Sequence, residues 1–333
     1  MNGFERYVGI LKREPVDFLP RTPILMQYAA EYIGSDYAAF ASDYRVLVRA
    51  NEACAKDFGI DQVSSISDPY RETHGFGADI EYRTDAPPRS THPLHDCKDL
   101  SILSEPNPLV SARMLDRVRA VRWYRERYGG EYSILGWVEG PAAEAVDLRD
   151  AVNFLIDLMD DEAFAGELMD LCLGVGIDFA RAQVEAGADT IGIGDAIASQ
   201  VSPDVYERLI QPREKKLVGA IRGMGAYVKL HICGNITHLV PGIADLGVDI
   251  LDVDHMVDMP AVRKAVGDSV ALAGNIDPVT GIKGGRSDTI RETIRRIYST
   301  VGNPYIVNAG CEIPSGTPPE NLRALCEPVP YRG

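Results

Sequence analysis

From residue 187 onward the chain repeats one pattern: a short apolar run, a glycine or polar turn, then a stretch with apolar positions at helical spacing. The runs GADTIGIG (187–194), AYVKLHI (226–232), GVDILDVD (247–254), SVALAGN (269–275) and PYIVNAG (304–310) read as strands. Helices are predicted between them over 203–223, 235–246, 258–267 and 287–301. Alternation of this kind specifies a parallel sheet covered by helices. Upstream, RTPILMQ (21–27), DQVSSIS (61–67) and YSILGWV (132–138) supply three more strand candidates with longer connections. Eight such units predict an α/β (β/α)8 TIM barrel whose site lies at the carboxyl ends of its strands. A doubly wound open sheet is the alternative left by the same pattern. We expect one domain over 1–333, with an N-terminal helical extension and long mouth loops, the Pro-rich DAPPRSTHPLHD (85–96) among them.

Charge narrows the partners. The chain has 34 basic and 49 acidic residues, a formal charge of −15, and no basic run. Nucleic acid and anionic membranes are therefore not expected to bind. The start, MNGFERYVGILKREPVDFLPR, has no apolar stretch resembling a signal peptide or a spanning helix, so the expected location is cytoplasmic. Six cysteines scattered over 333 residues do not make a disulfide framework and are read as buried thiols or metal ligands.

In KLHICGNI (229–236) strand alternation turns His231 and Cys233 to the same side, at the end of a predicted strand. Alone, such a pair is better read as a buried cysteine beside a hydrogen-bonded histidine. NAGCEIP (308–314) brings Cys311 to the same mouth from another strand. Three soft ligands from separate strands suit Zn²⁺ in an open, catalytic arrangement. Glu139, in GWVEGP (136–141), is a fourth candidate ligand, an acid or base, or a helix cap. Two thiolates and an imidazole already neutralise the ion, so substrate would displace Glu139 first.

A rival cluster, His92, His95, Asp96 and Cys97, sits in a loop with no strand to orient it. Cys54, Cys172 and Cys326 have no partner at ligand spacing and are expected to be buried. Gln27, Asp68, Asp195, Asn235, Asp252, His255 and Asn275 all fall where predicted strands end, positions that in a barrel favour function. Asn235 also reads as an N-cap for the helix that follows. GIGDA (192–196) lacks the remainder of a nucleotide-binding fingerprint.

HICGNI, LAGNIDPV (272–279) and AGCEIPSGTPPENLRAL (309–325), in this order, resemble the uroporphyrinogen decarboxylase superfamily, and within it the zinc-dependent corrinoid methyltransferases. The resemblance runs from about residue 20 to 326, and its specific part is His-x-Cys with a distal Gly-Cys. It implies that His231, Cys233 and Cys311 are zinc ligands, with Glu139 a less regular fourth. Where the decarboxylases use arginines to hold porphyrin carboxylates, this chain has Met26, Gln27, Tyr28, Ala29 and Ala30. Asp68, in SISDPY, matches the decarboxylase's working aspartate and keeps decarboxylation as an alternative.

From their place at the predicted mouth, Glu139, Asp195 and Asp68 are expected to act in catalysis, and Gln27, Tyr28, Asn235, His255 and Asn275 to contact substrate. Two half-reactions are implied. In one, a thiol such as coenzyme M takes a methyl group from a methyl-Co(III) corrinoid. In the other, a methyl donor such as an aryl methyl ether or a methylamine is cleaved by Co(I), with zinc polarising the leaving oxygen or nitrogen. The wording of AGCEIPSGTPPENL and WVEGPAAEA resembles the demethylating members, so transfer from a small methylated donor is the expectation. No DxHxxG cobamide loop is present, so a separate corrinoid protein is the expected partner of a monomer or homodimer. A non-catalytic zinc scaffold is the remaining alternative.

Overall fold

The computed structural model describes residues 1–333. Seven parallel strands form one sheet in chain order: β1 Gln62–Ser64, β2 Ser133–Glu139, β3 Thr190–Gly194, β4 Tyr227–Ile232, β5 Ile250–Val253, β6 Ala271–Gly274 and β7 Tyr305–Ile306. Helices cover its outer face, in the (β/α)8 arrangement that the alternating pattern predicts. The register pairs Glu139 with Gly194, Gly194 with His231 and His231 with Asp252. Four strands thus deliver these residues side by side at the carboxyl rim.

The first predicted strand in chain order, 21–27, does not form a regular ladder. Pro20 and Pro23 have no N–H to give, so pairing there is piecemeal. Val307 N–H donates to the Pro20 carbonyl at 2.8 Å, and Thr22 N–H to the Val307 carbonyl at 3.0 Å. On the other side Asp61 N–H donates to the Arg21 carbonyl at 2.9 Å, and the Arg21 guanidinium grips the Asp61 carboxylate at 2.9 and 3.0 Å. Side chains complete the seam between β7 and β1 that prolines deny to the backbone. Gln27 lies beyond it and opens a short helix, Gln27–Tyr32.

The amino-terminal extension closes the barrel floor. Helix Gly3–Leu11 starts at a capping box in which Asn2 and Glu5 satisfy each other's backbone N–H. Its Tyr7 and Ile10 pack on Ile250, Ala271, Ala273 and Ile306, and the Tyr7 hydroxyl meets Thr190 Oγ1 at 2.9 Å. With that end sealed, ligands reach the interior from the carboxyl rim.

Two predicted helices match closely, as Met259–Val266 and Ser287–Val301, and 203–223 is helical throughout with one wider turn over Tyr206–Ile210. The helix predicted over 235–246 shrinks to Val240–Ala244. The Asn235 side chain instead accepts from Thr237 N–H at 3.0 Å, a local turn that competes with helix, so it is not the N-cap. The long β1-to-β2 connection carries helix Arg71–Gly75, a hairpin pairing Ile80–Glu81 with Arg89–Ser90, and helix Ala112–Tyr128.

Candidate metal centre

His231 is the fifth residue of the six-residue β4, and Cys233 follows two residues later on the same side. Gly234, with φ +93°, then turns the chain away, and its N–H is fastened to Asp254 Oδ2 at 2.9 Å. Cys311 arrives after β7 through Gly310, where a Cβ would lie 2.5 Å from the His255 nitrogen. The three ligand atoms lie within 4.8 Å of one another, and no other group of three such side chains converges in this way. His231 Nε2 is 3.0 Å from Cys233 Sγ, which is 3.7 Å from Cys311 Sγ.

The support beneath the triad fits a metal. His231 Nδ1 lies 3.2 Å from the Asp252 carbonyl, so it carries the proton and leaves Nε2 as the lone-pair donor. Asp252 is paired with Lys229 at 2.7 Å and accepts from Asn308 Nδ2 at 2.8 Å. The two thiols titrate as a pair: the Cys233 hydrogen bond holds Cys311 down at about 4, while Cys311 drives Cys233 upward. A first thiolate therefore forms readily and the second requires a compensating cation, which is what a divalent ion supplies.

The triad forms one end of a cavity of about 160 Å³. Ile24, Met26, Ile66, Pro69 and Trp137 wall it, and Asp68, Glu139 and Glu312 supply its other polar groups. Trp137 lies over β3 because Gly192 and Gly194 leave room; a Cβ at Gly192 would sit 2.2 Å from the indole.

Two buried arginines frame the acids. Arg113 holds Asp68 with both ends of its guanidinium, at 2.8 and 2.7 Å. Burial pushes the Asp68 carboxyl up, but Arg113 outweighs it and keeps the group well below the usual range. Arg71 donates to Glu139 Oε1 at 2.5 Å and pairs with Glu72 at 3.5 Å. Burial raises Glu139 to about 8 against the pull of Arg71. Glu312, whose Oε1 receives Gln27 N–H at 3.0 Å, is raised by burial to about 7.

Of the expected site residues, His231, Cys233, Cys311, Glu139 and Asp68 line the cavity together. Glu139 does not join the ligand cluster, its carboxylate being held by Arg71. Asp195 is turned away and accepts from Ala143 N–H at 2.8 Å, capping helix Pro141–Arg149 from a neighbouring strand. Tyr28 is a core residue stacked on Tyr32 at 6.1 Å, not a mouth residue. Gln27 ties its helix to the Asp85 carbonyl at 3.0 Å, on the rim. Asn275 donates to the Val257 carbonyl at 2.8 Å, and His255 pairs with Asp254 at 2.9 Å, both lining a separate cleft.

The rival loop cluster is dispersed. His92 Nδ1 meets the Asp147 carbonyl at 2.9 Å, and His95 Nδ1 meets Asp150 Oδ2 at 2.8 Å, docking the loop onto helix Pro141–Arg149. Cys54, Cys172 and Cys326 are buried as expected. Sequence reading missed Trp137, Glu312, Arg71 and Arg113. Trp137 is two residues before Glu139 and could have been found by alternation. Glu312 adjoins Cys311, but Arg113 reaches Asp68 across 45 residues with no local signal.

The uroporphyrinogen decarboxylase family profile matches residues 2–330. A methylcobamide:CoM methyltransferase of Methanosarcina mazei is 28% identical over 331 residues, covering 97% of this chain and 96% of that protein. A uroporphyrinogen decarboxylase of Prochlorococcus marinus is 28% identical over 280 residues, covering 81% and 79%. A solved structure described as a methyltransferase from Methanosarcina mazei superposes with a TM-score of 0.89 at 26% identity, covering 98% of this chain and 97% of that one.

Proposed function

The chain belongs to the uroporphyrinogen decarboxylase family, in its corrinoid methyltransferase branch, and on that premise we propose that it is zinc-dependent, with His231, Cys233 and Cys311 as the ligands. In this reading it moves a methyl group between a small molecule in the cavity and the corrinoid of a separate protein docked at the mouth. The observation that carries it is the convergence of these three side chains at one end of a cavity, where a decarboxylase would have no use for the set. Three protein ligands leave one position for substrate.

Bound there, zinc supplies Lewis acidity to the atom that carries or receives the methyl group. The residues do the remainder. Asp252 holds the His231 ring in the tautomer that offers Nε2. Trp137, Ile24, Met26 and Ile66 keep water from the reacting atoms. Arg71 occupies Glu139 Oε1, leaving Oε2 to give a proton to a departing oxygen or nitrogen while the carboxyl stays protonated, up to about pH 8.

Two directions are open to this site. The apolar wall suits an aryl methyl ether donating to Co(I), whereas the relatives named for coenzyme M favour transfer from a methylcorrinoid to a thiol at least as strongly. Decarboxylation of a porphyrin is disfavoured because neither Arg71 nor Arg113 lines the cavity, each being buried against acids of this chain.

The test is metal content of protein purified without chelator, with His231→Ala, Cys233→Ala and Cys311→Ala in parallel. About one zinc per chain, lost in each variant, is expected. Methyl transfer is then followed from methoxyarenes to Co(I) cobalamin and from methylcobalamin to thiols. Metal-free protein with intact thiols would end the zinc reading.

A further inference from the structure

We infer that the cavity selects an uncharged methyl donor or acceptor and rejects an anionic one. The inference rests on the methyl-transfer reading above and names the substrate class of that site. It turns on where the cations are. Three basic side chains reach the barrel interior near the triad, and each is committed to acids of this chain. Arg113 holds both oxygens of Asp68 and also donates to the Tyr70 carbonyl at 2.9 Å and the Ala41 carbonyl at 3.1 Å. Arg71 is shared by Glu139 at 2.5 Å and Glu72 at 3.5 Å, with the Asp68 carbonyl as a further acceptor. Lys229 faces Asp252 at 2.7 Å, beneath His231.

No lysine or arginine is among the residues lining the cavity; its acidic groups, apart from the triad, are Asp68, Glu139 and Glu312, of which Asp68 is held as a carboxylate by Arg113. A divalent ion on two thiolates and an imidazole adds no net positive charge. A sulfonate or carboxylate brought in with a ligand would therefore lose water without gaining a counter-charge, beside the Asp68 carboxylate and an apolar wall. Burying a charge that way is strongly unfavourable, whereas a hydroxyl or methoxy group loses little.

Coenzyme M is a permanently anionic thiol, so the inference separates this chain from the relatives whose names carry it, even though they align over nearly its whole length.

The experiment compares matched pairs on the full-length, metal-loaded chain: 2-methoxyphenol against 2-methoxybenzoate, and 2-mercaptoethanol against 2-mercaptoethanesulfonate. Dissociation constants are read by calorimetry and bound metal by elemental analysis. The uncharged member of each pair is expected to bind at least about ten-fold more tightly. The gap should close or reverse in Asp68→Asn, which releases Arg113 beside the cavity. An anionic member that binds as tightly in the unmodified protein overturns the inference, whether or not the variant folds, and so does failure of every ligand to bind a metal-loaded chain. Metal-free protein that still prefers the uncharged members would overturn the functional reading and leave the inference standing.

Discussion

Lys229 and Asp252 face each other 2.7 Å apart under His231, with side chains 2% and 0% exposed. Removing one partner of a buried pair leaves the other charge uncompensated, so Asp252→Asn should lower unfolding free energy by about 3–5 kcal/mol. Adding Lys229→Met should restore most of it. Because His231 Nδ1 donates to the Asp252 backbone carbonyl, with the carboxylate farther off at 3.7 Å, zinc affinity should change less than stability. Denaturant titrations and a chelator competition measure the two separately.

A second residue-level consequence concerns pH. Glu72, Glu139 and Glu144 are buried near one another, and burial is the largest influence raising all three carboxyls, Glu139 to about 8. Each binds its proton more tightly in the folded chain than in the unfolded one. The stability these three groups contribute is therefore fully present below the ordinary value of 4.5 and is lost as pH rises through about 8. Urea midpoints should fall across that window, and Glu144→Gln should flatten the slope; midpoints that rise instead would contradict it. His231 and Cys233 were legible as a pair because alternation alone sets their common face. Arg113 and Arg71 were not, because their partners are set by how distant segments meet.

At the scale of elements, β3 is shaped by what it omits. Gly192 and Gly194 make room for the Trp137 indole on β2, so Gly192→Ala forces the ring out of place. Overpacking of this kind costs about 1–3 kcal/mol. We expect that loss in thermal unfolding, together with a changed emission of Trp137 read in a Trp123→Phe background. Strands β2 to β6 were plain in the sequence because buried parallel strands are continuous apolar runs. The segment at 21–27 read as a strand by the same criterion, yet its prolines withhold the N–H groups a ladder needs. The helix over 235–246 was overextended for a related reason: the Asn235 side chain offers the backbone a competing turn.

Over the whole molecule, the triad joins the end of β4 to the segment after β7, with Cys233 and Cys311 78 residues apart in the chain. A ligand that binds only the folded chain stabilises it, by about 2.7 kcal/mol at a hundred times its dissociation constant. Chelator treatment should lower the unfolding temperature of the unmodified protein and leave that of Cys311→Ala unchanged; equal shifts would place the metal elsewhere. No helix is long and apolar enough to cross a membrane. By itself, the sequence determined the barrel and that His231, Cys233 and Cys311 belong together at its mouth, because side-chain alternation and strand order are properties of the local chain. It did not determine that Asp195 caps a neighbouring helix, that Tyr28 belongs to the core, or that Glu139 answers to Arg71. Those were decided only when the barrel closed, because the charge state of its mouth depends on distances between segments that no local pattern encodes.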